Sequence, residues 1–318
     1  MKKFLKDLET ELRKNNLSEN EIKEIMADHE EMIQSAKSEG LTDEELEAKF
    51  GSPKNVAEEL SQFTEKAEDE NDMKTGKSVE FTGINENFNV DIALISEDIK
   101  FVHNDDEKIV VTYKGKLKLK DFDISFSNNE LKIKSPRMVF NFGISFSGSN
   151  NTMVVSLPKK LKIGDFKLKT ISGDSILRNM NAKKFVLETN SGDAKLNTLT
   201  LEDTSVSSIS GDVLMENIIC DDFSMSTISG DAKMINVVSK KDILISTISG
   251  DAMIENSNCI EALLKTISGD IIGNEFYPET VSLKSVSGDL LIKNKESAKT
   301  IVVKRKRTVS GDIEIITK

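Results

Sequence analysis

The sequence predicts a multidomain chain, α plus all-β: a small N-terminal helical bundle followed by a β-solenoid (β-helix) with 19–20-residue coils. Three observations predict it. Ser-Gly-Asp recurs eight times in the second half, with glycines at Gly173, Gly192, Gly211, Gly230, Gly250, Gly269, Gly288 and Gly311. Successive glycines are 19, 19, 19, 20, 19, 19 and 23 residues apart, a near-fixed period that marks one supersecondary unit per repeat. Apolar residues around each glycine alternate with period two, whereas before residue 65 the apolar period is helical.

The helical part comes first. Phe4, Leu5, Leu8 and Leu12 form an apolar stripe. Ser18 with Glu21 reads as a capping box opening a second helix with Ile22, Ile25, Met26 and Ile33 on its buried face, and Gly40 ends it. Thr42 with Glu45 opens a third, before Leu46 and Phe50. Ser52-Pro53 opens a fourth, with Val56, Leu60 and Phe63 inward. The predicted domains are therefore 1–63, a four-helix docking bundle; 64–78, a polar linker; and 79–318, the solenoid, with 79–160 as irregular first coils and 161–318 as the Ser-Gly-Asp repeats.

Within 79–160, Phe88–Ile92, Ile109–Tyr113, Leu131–Ile133 and Met153–Val155 read as strands, and Asn128-Asn129 and Asn150-Asn151 as turns. Each later unit reads as strand, Gly corner, short strand, Asn corner and loop. The residues two and four after Gly are apolar, as in Val213 and Met215 or Ala232 and Met234. Asn stands six after Gly at Asn179, Asn217, Asn236, Asn256 and Asn294, a candidate structural ladder in which equivalent side chains hydrogen-bond along the stack. Gly supplies φ > 0 or a close backbone approach. At about 4.8 Å per coil, the eight corners span roughly 34 Å.

Composition limits the function. Residues 1–75 hold 11 Lys+Arg and 21 Asp+Glu, while the remainder is nearly neutral. Neither part has the basic face of a nucleic-acid binder. The one basic run, Lys304-Arg305-Lys306-Arg307, reads as a solvated loop widening the last coil. An apolar signal core is missing from the start, where Asp7 and Glu9 stand, and no apolar run reaches the ~18 residues of a membrane span. Cys220 and Cys259 each lie nine residues after a glycine, so they share a column two coils apart, beyond disulfide reach. Free buried thiols suit a reducing cytoplasm.

Two segments resemble known families. FLKDLETEL at the start, the acidic stretch around Asp28-His29-Glu30-Glu31, and KFGSPKNVAEEL with its Gly51-Ser52-Pro53 resemble the HAAS-type α-helical signalling domain of Firmicute-like bacteria, over residues 1–63. MVVSLPKKLKIGDFKLKTISGD, Met153 to Asp174, resembles a bacterial putative-adhesin β-solenoid family of unknown function, over residues 79–318. The first resemblance implies a protein partner, a PadR-like transcription regulator or a membrane signalling protein. Such chains often carry a membrane span between the two parts, and this one departs from that pattern.

The one regular column of candidate chemistry is the carboxylate column Asp174, Asp193, Asp212, Asp231, Asp251, Asp270, Asp289 and Asp312. The structural reading is that each Asp bonds its own corner backbone. A Ca²⁺ ladder is the second reading, since that ion takes six to eight oxygens, and paired-carboxylate glycan chemistry the third. The calcium nonapeptide pattern is missing, and a chain with no Trp and two Tyr offers few aromatic platforms for sugars. His29 and His103, the only histidines, stand in different domains. No phosphate-binding Gly-rich loop is present. The expectation is a cytoplasmic, non-enzymatic interaction protein without catalytic residues, cofactor or metal. Its helical domain docks a regulatory partner and its solenoid is a rigid scaffold. The alternatives are a glycan-binding or carbohydrate-active β-helix, or an adhesin-like structural module.

Overall fold

The computed structural model of the chain describes residues 2–14, 22–23, 26, 53–54, 78–115, 117–136, 151–295 and 300–317. The first helix, α1 (Lys2–Lys14), buries Phe4, Leu8 and Leu12. Its exposed face carries Glu9–Arg13 and Glu11–Lys14 ion pairs at helical spacing. Ile22 and Lys23 are helical and Ile22 is buried, as are Pro53 and Lys54 helical at the predicted fourth start. The remainder of the predicted bundle, with its other caps, and the linker up to Lys77 lie outside the described residues.

The β part opens with β1 (Val79–Phe81), β2 (Phe88–Ala93), β3 (Asp98–Asn104), β4 (Ile109–Lys114), β5 (Asp123–Ser127), β6 (Glu130–Lys134) and β7 (Thr152–Pro158). These are not simply successive first coils. β2 and β3 stack in parallel on the repeats that follow, and β6 and β7 stack in parallel on their far side. Outside those, β5 pairs with β6, β4 with β7 and β1 with β4, all antiparallel. The N-terminal end of the solenoid is thus covered by β4 and β5, which run against the coil direction, and by β1 beyond β4. Asn128 and Asn129 both have left-handed φ, 53° and 58°, which makes the tight hairpin between β5 and β6.

The regular coils follow: β8 (Ile163–Thr170), β9 (Ser175–Thr189), β10 (Ala194–Ser208), β11 (Val213–Cys220), β12 (Asp222–Thr227), β13 (Ala232–Ser239), β14 (Asp242–Thr247), β15 (Ala252–Lys265), β16 (Ile271–Lys284), β17 (Leu290–Asn294), β18 (Val302–Arg307) and β19 (Ile313–Thr317). Every pairing between them is parallel, and the register repeats with the sequence period: Ala194 faces Val213, which faces Ala232, which faces Ala252. Burial along β10 alternates but slips phase at Asn197-Thr198 and again at Glu202-Asp203. Each coil therefore has three short legs, not two strands and a loop. The stretch read as variable loop is the third leg, as in Ile218 and Cys220, both buried.

The core runs as stacked columns. Phe166 and Phe185 stack with centroids 5.0 Å apart and planes 3° from parallel, and Phe101 meets Phe166 edge-on at 5.2 Å. Volume is exchanged between columns: Gly273 occupies the column of Leu196, Met215 and Ile254, and the Phe276 ring fills the space a side chain there would need. Each fully buried aliphatic side chain contributes roughly 1.5–3 kcal/mol. Cys220, Ser239 and Cys259 form one column, with Ser239 between the two thiols, and both cysteines are free. Among the described residues, no helix is long and apolar enough to cross a membrane.

Candidate functional site

The Ser-Gly-Asp corner is built from three ladders. The first is glycine stacking. A Cβ placed on Gly230 would collide with the carbonyl oxygen of Gly211 in the preceding coil, and the same collision recurs down the column. None of these corner glycines has positive φ. Glycine is demanded by close backbone approach, not by a left-handed conformation.

The second ladder is hydroxylic. The residue three before each glycine, Thr or Ser, is in most coils buried and donates its hydroxyl to that glycine's carbonyl oxygen. The Thr189, Thr227 and Thr308 bonds measure 2.7 Å. This satisfies a carbonyl that would otherwise be buried without a side-chain partner.

The third ladder is the carboxylate column, and it differs from expectation. Each Asp does not bond its own corner. Its Oδ1 accepts from the backbone N–H of the Asp one coil later: Asp193 to Asp174, Asp212 to Asp193, Asp231 to Asp212, Asp251 to Asp231, Asp270 to Asp251, Asp289 to Asp270 and Asp312 to Asp289, at 2.8–2.9 Å. The carboxylates therefore tie coils together. With one oxygen of each engaged, the column offers few of the six to eight oxygens that Ca²⁺ takes. Among the described residues, no group of three or more His, Cys, Asp or Glu side chains converges as a metal site.

One member of the column escaped the sequence reading. Ile95-Ser96-Glu97-Asp98 occupies a corner at the N-terminal end of the stack, with Glu97 in the glycine place. Asp174 N–H donates to Asp98 Oδ1 at 3.0 Å, and Ser172 N–H to the Ile95 carbonyl at 2.8 Å, as in every later corner. Glu97 is buried, and its Oε2 accepts from Ile95 N–H, Ser96 N–H and the Ser135 hydroxyl. The signal was present: Ile-Ser-Glu-Asp differs from Ile-Ser-Gly-Asp at one position, and residues 97 and 173 differ by four periods of 19.

The Asn column is a set of corners, largely exposed. Asn179, Asn217, Asn236 and Asn256 have φ of 55°, 57°, 56° and 49°, with Thr198 and Glu275 equivalent at 57° and 53°. Asn is there because its short polar side chain tolerates the left-handed region. Asn236 Nδ2 donates to Asn217 Oδ1 at 2.9 Å. Asn294 departs from the column: it is buried and clasps the Phe276 backbone, accepting from its N–H at 2.9 Å and donating to its carbonyl at 2.6 Å. The side-chain ladder expected of this column is seen between Asn217 and Asn236, both exposed.

Beside the corner, the residue before each Ser faces solvent. Ile171, Ile209, Ile228, Ile248, Ile267 and Val286 are 40–50% exposed and Val309 is 81% exposed, a row of aliphatic side chains that Asn190 interrupts between Ile171 and Ile209. A shallow groove runs along it, lined by Ser207, Ser226 and Ser246. Elsewhere little chemistry is poised. Burial pushes the Cys220 thiol up to about 11 and the Cys259 thiol to about 12, so neither is a nucleophile at neutral pH. Burial, then the Lys159 charge, lowers the pKa of His103, which stands apart from any cysteine column. His29 lies outside the described residues.

A family model described as Toastrack DUF4097 matches residues 87–240 and 205–318, most of the chain. The chain belongs to this Toastrack family. A second model, HAAS, matches residues 3–59. No curated protein matches the chain. Among solved structures, the Toastrack chain is similar to a putative lipid binding protein from Parabacteroides distasonis, at 18% identity and TM-score 0.52, over 76% of this chain and 96% of that one. It is similar to a putative adhesin from Parabacteroides merdae, at 16% and 0.52, over 76% and 95%. A putative adhesin from Parabacteroides distasonis matches at 16% and 0.50, over 76% and 98%. At these identities the likeness shows the fold: the Toastrack region is a β-solenoid.

Proposed function

We propose that this Toastrack protein is a non-enzymatic interaction protein of the cytoplasm. Its HAAS segment docks a regulatory partner, a PadR-like regulator or a membrane signalling protein, and its solenoid is a rigid binding scaffold. The observation that carries this reading is the aliphatic row Ile209, Ile228, Ile248 and Ile267 beside a serine-lined groove. A straight, contiguous apolar row held by a stiff stack is a feature of binding surfaces. The acidic front quarter suits a basic face on a partner. The two free, buried thiols suit a reducing compartment.

An adhesin-like or lipid-binding module is the second reading, favoured by the names of the structural neighbours. Titration of the full chain with a purified PadR-like regulator, with neutral phospholipid vesicles and with a glycan panel separates the readings. The expected result is saturable binding of the regulator. The variant Ile228→Ser with Ile248→Ser should keep the melting temperature, since both side chains are exposed, while losing binding through the solenoid face. Vesicle or glycan binding with no regulator binding would replace the first reading by the second.

A further inference from the structure

The two ends of the solenoid are unlike. The N-terminal end is covered by antiparallel β1, β4 and β5, and by Glu97 folded over its first corner. At the other end, β18 pairs only with β16 and β19 only with β17 among the described residues. The last described bond of the carboxylate ladder runs from Asp312 N–H to Asp289 Oδ1. The segment Lys304–Arg307, expected to be a loop, is strand. All six residues of β18 are exposed, and the pairing with β16 bulges at Lys304.

The charges on this edge are placed selectively. Lys306 is in register with Leu283, a buried core position that is Leu264, Ile245 and Met225 in the coils before. The aliphatic column thus terminates in an ammonium. Arg305 and Arg307 fall in the outward columns of Ser282 and Lys284. Lys304 reaches back to Glu261 at 2.6 Å. A strand that offered another aliphatic residue over Lys306 would bury against a charge. A second copy paired edge to edge would set Lys304–Arg307 against the same four cations, and like charges directly opposite destabilise a strand pair. A strand carrying carboxylates meets neither obstacle.

We propose that the edge formed by β18 and β19, which has no second strand partner among the described residues, is a docking site for an acidic, extended segment of a partner protein, added as a further strand. Main-chain hydrogen bonds from the edge supply affinity, and Arg305, Lys306 and Arg307 select carboxylate-bearing side chains. Inward charge on an edge also protects it from indiscriminate pairing. The site is separate from the isoleucine row, so its test succeeds or fails independently of the reading above.

The test uses the full chain and a labelled, capped peptide of about ten alternating Glu and Thr residues, a length and composition that suit a strand. Fluorescence anisotropy should show saturable binding, and hydrogen exchange should slow at the β18 amides. Arg305→Glu with Arg307→Glu should weaken binding about tenfold or more while the melting curve is kept, because both side chains are exposed. If that variant fails to fold, Lys306→Gln in its place should still weaken binding. A peptide N-methylated at every second residue keeps its charge but loses donors, and should not bind. Equal binding of the N-methylated peptide would overturn strand addition. No binding of the acidic peptide at millimolar concentration, or preference for a single-stranded oligonucleotide over it, would overturn the site as assigned.

Discussion

At the scale of single residues, the corner works because each of its members has one task set by the coil beneath it. Glycine lets two backbones approach, the hydroxyl three residues earlier satisfies the glycine carbonyl, and Asp reaches to the next coil. Glu97 tests this division of labour. It stands in the glycine place at the N-terminal end of the column, and its side chain covers the corner instead. Gly230→Ala should therefore cost at least about 3 kcal/mol, because the obstacle is a backbone carbonyl that moves only with its strand. Glu97→Ala should cost less, roughly 1–3 kcal/mol, the price of leaving buried donors unpaired. Denaturant unfolding of the two variants measures this. A Gly230→Ala variant as stable as the parent chain would mean that the corners are not in contact as described. The Gly and Asp columns were legible because every coil from Gly173 on repeats them. The Ile95–Asp98 corner was not, since its one departure from the motif is the consequence of its position at the end.

At the scale of elements, the period-two pattern predicted the strands well wherever one face is buried and the other wet. It failed where the phase slips. The slip at Asn197-Thr198 is the predicted Asn corner. The stretch from there through Glu202-Asp203 read as a loop in sequence, yet the backbone keeps its ladder around both corners. Lys304–Arg307 read as loop for a related reason: its outward face and its core register both carry cations, so no alternation was visible. The cysteine column was legible from spacing alone. Its chemistry has a sign that can be checked. Burial raises both folded thiol pKa values above the ordinary 9.0, to about 11 and about 12. The unfolded chain would ionise these thiols first as pH rises. Stability linked to them is complete below about pH 9 and is lost as pH climbs through the folded values. The native chain should react with neither thiol-directed reagent nor alkylator at pH 8, while the denatured chain reacts at both sites. In a Cys220→Ser, Cys259→Ser chain, the decline in stability between pH 9 and 11 should be shallower. An unchanged decline would place its origin in other groups.

At the scale of the whole molecule, the solenoid is a stack held by backbone ladders, apolar columns and a carboxylate relay from Asp98 to Asp312. The candidate site was only partly legible. The Asp column stood out in sequence, but whether it binds an ion or its neighbours depends on where each Oδ1 points, which spacing does not reveal. The central claim is that this column is a hydrogen-bond ladder between coils. Thermal unfolding of the parent chain, Asp231→Asn and Asp231→Ala, each with and without millimolar Ca²⁺, tests it most directly. The expected result is no calcium shift in any of the three. Asp231→Asn should be nearly neutral, because its Oδ1 still accepts from Asp251 N–H. Asp231→Ala should lose about 1 kcal/mol, since that acceptor is gone. A melting temperature that rises with Ca²⁺, as linkage requires of a bound ion, and that Asp231→Asn abolishes, would contradict the claim and make the corner an ion site.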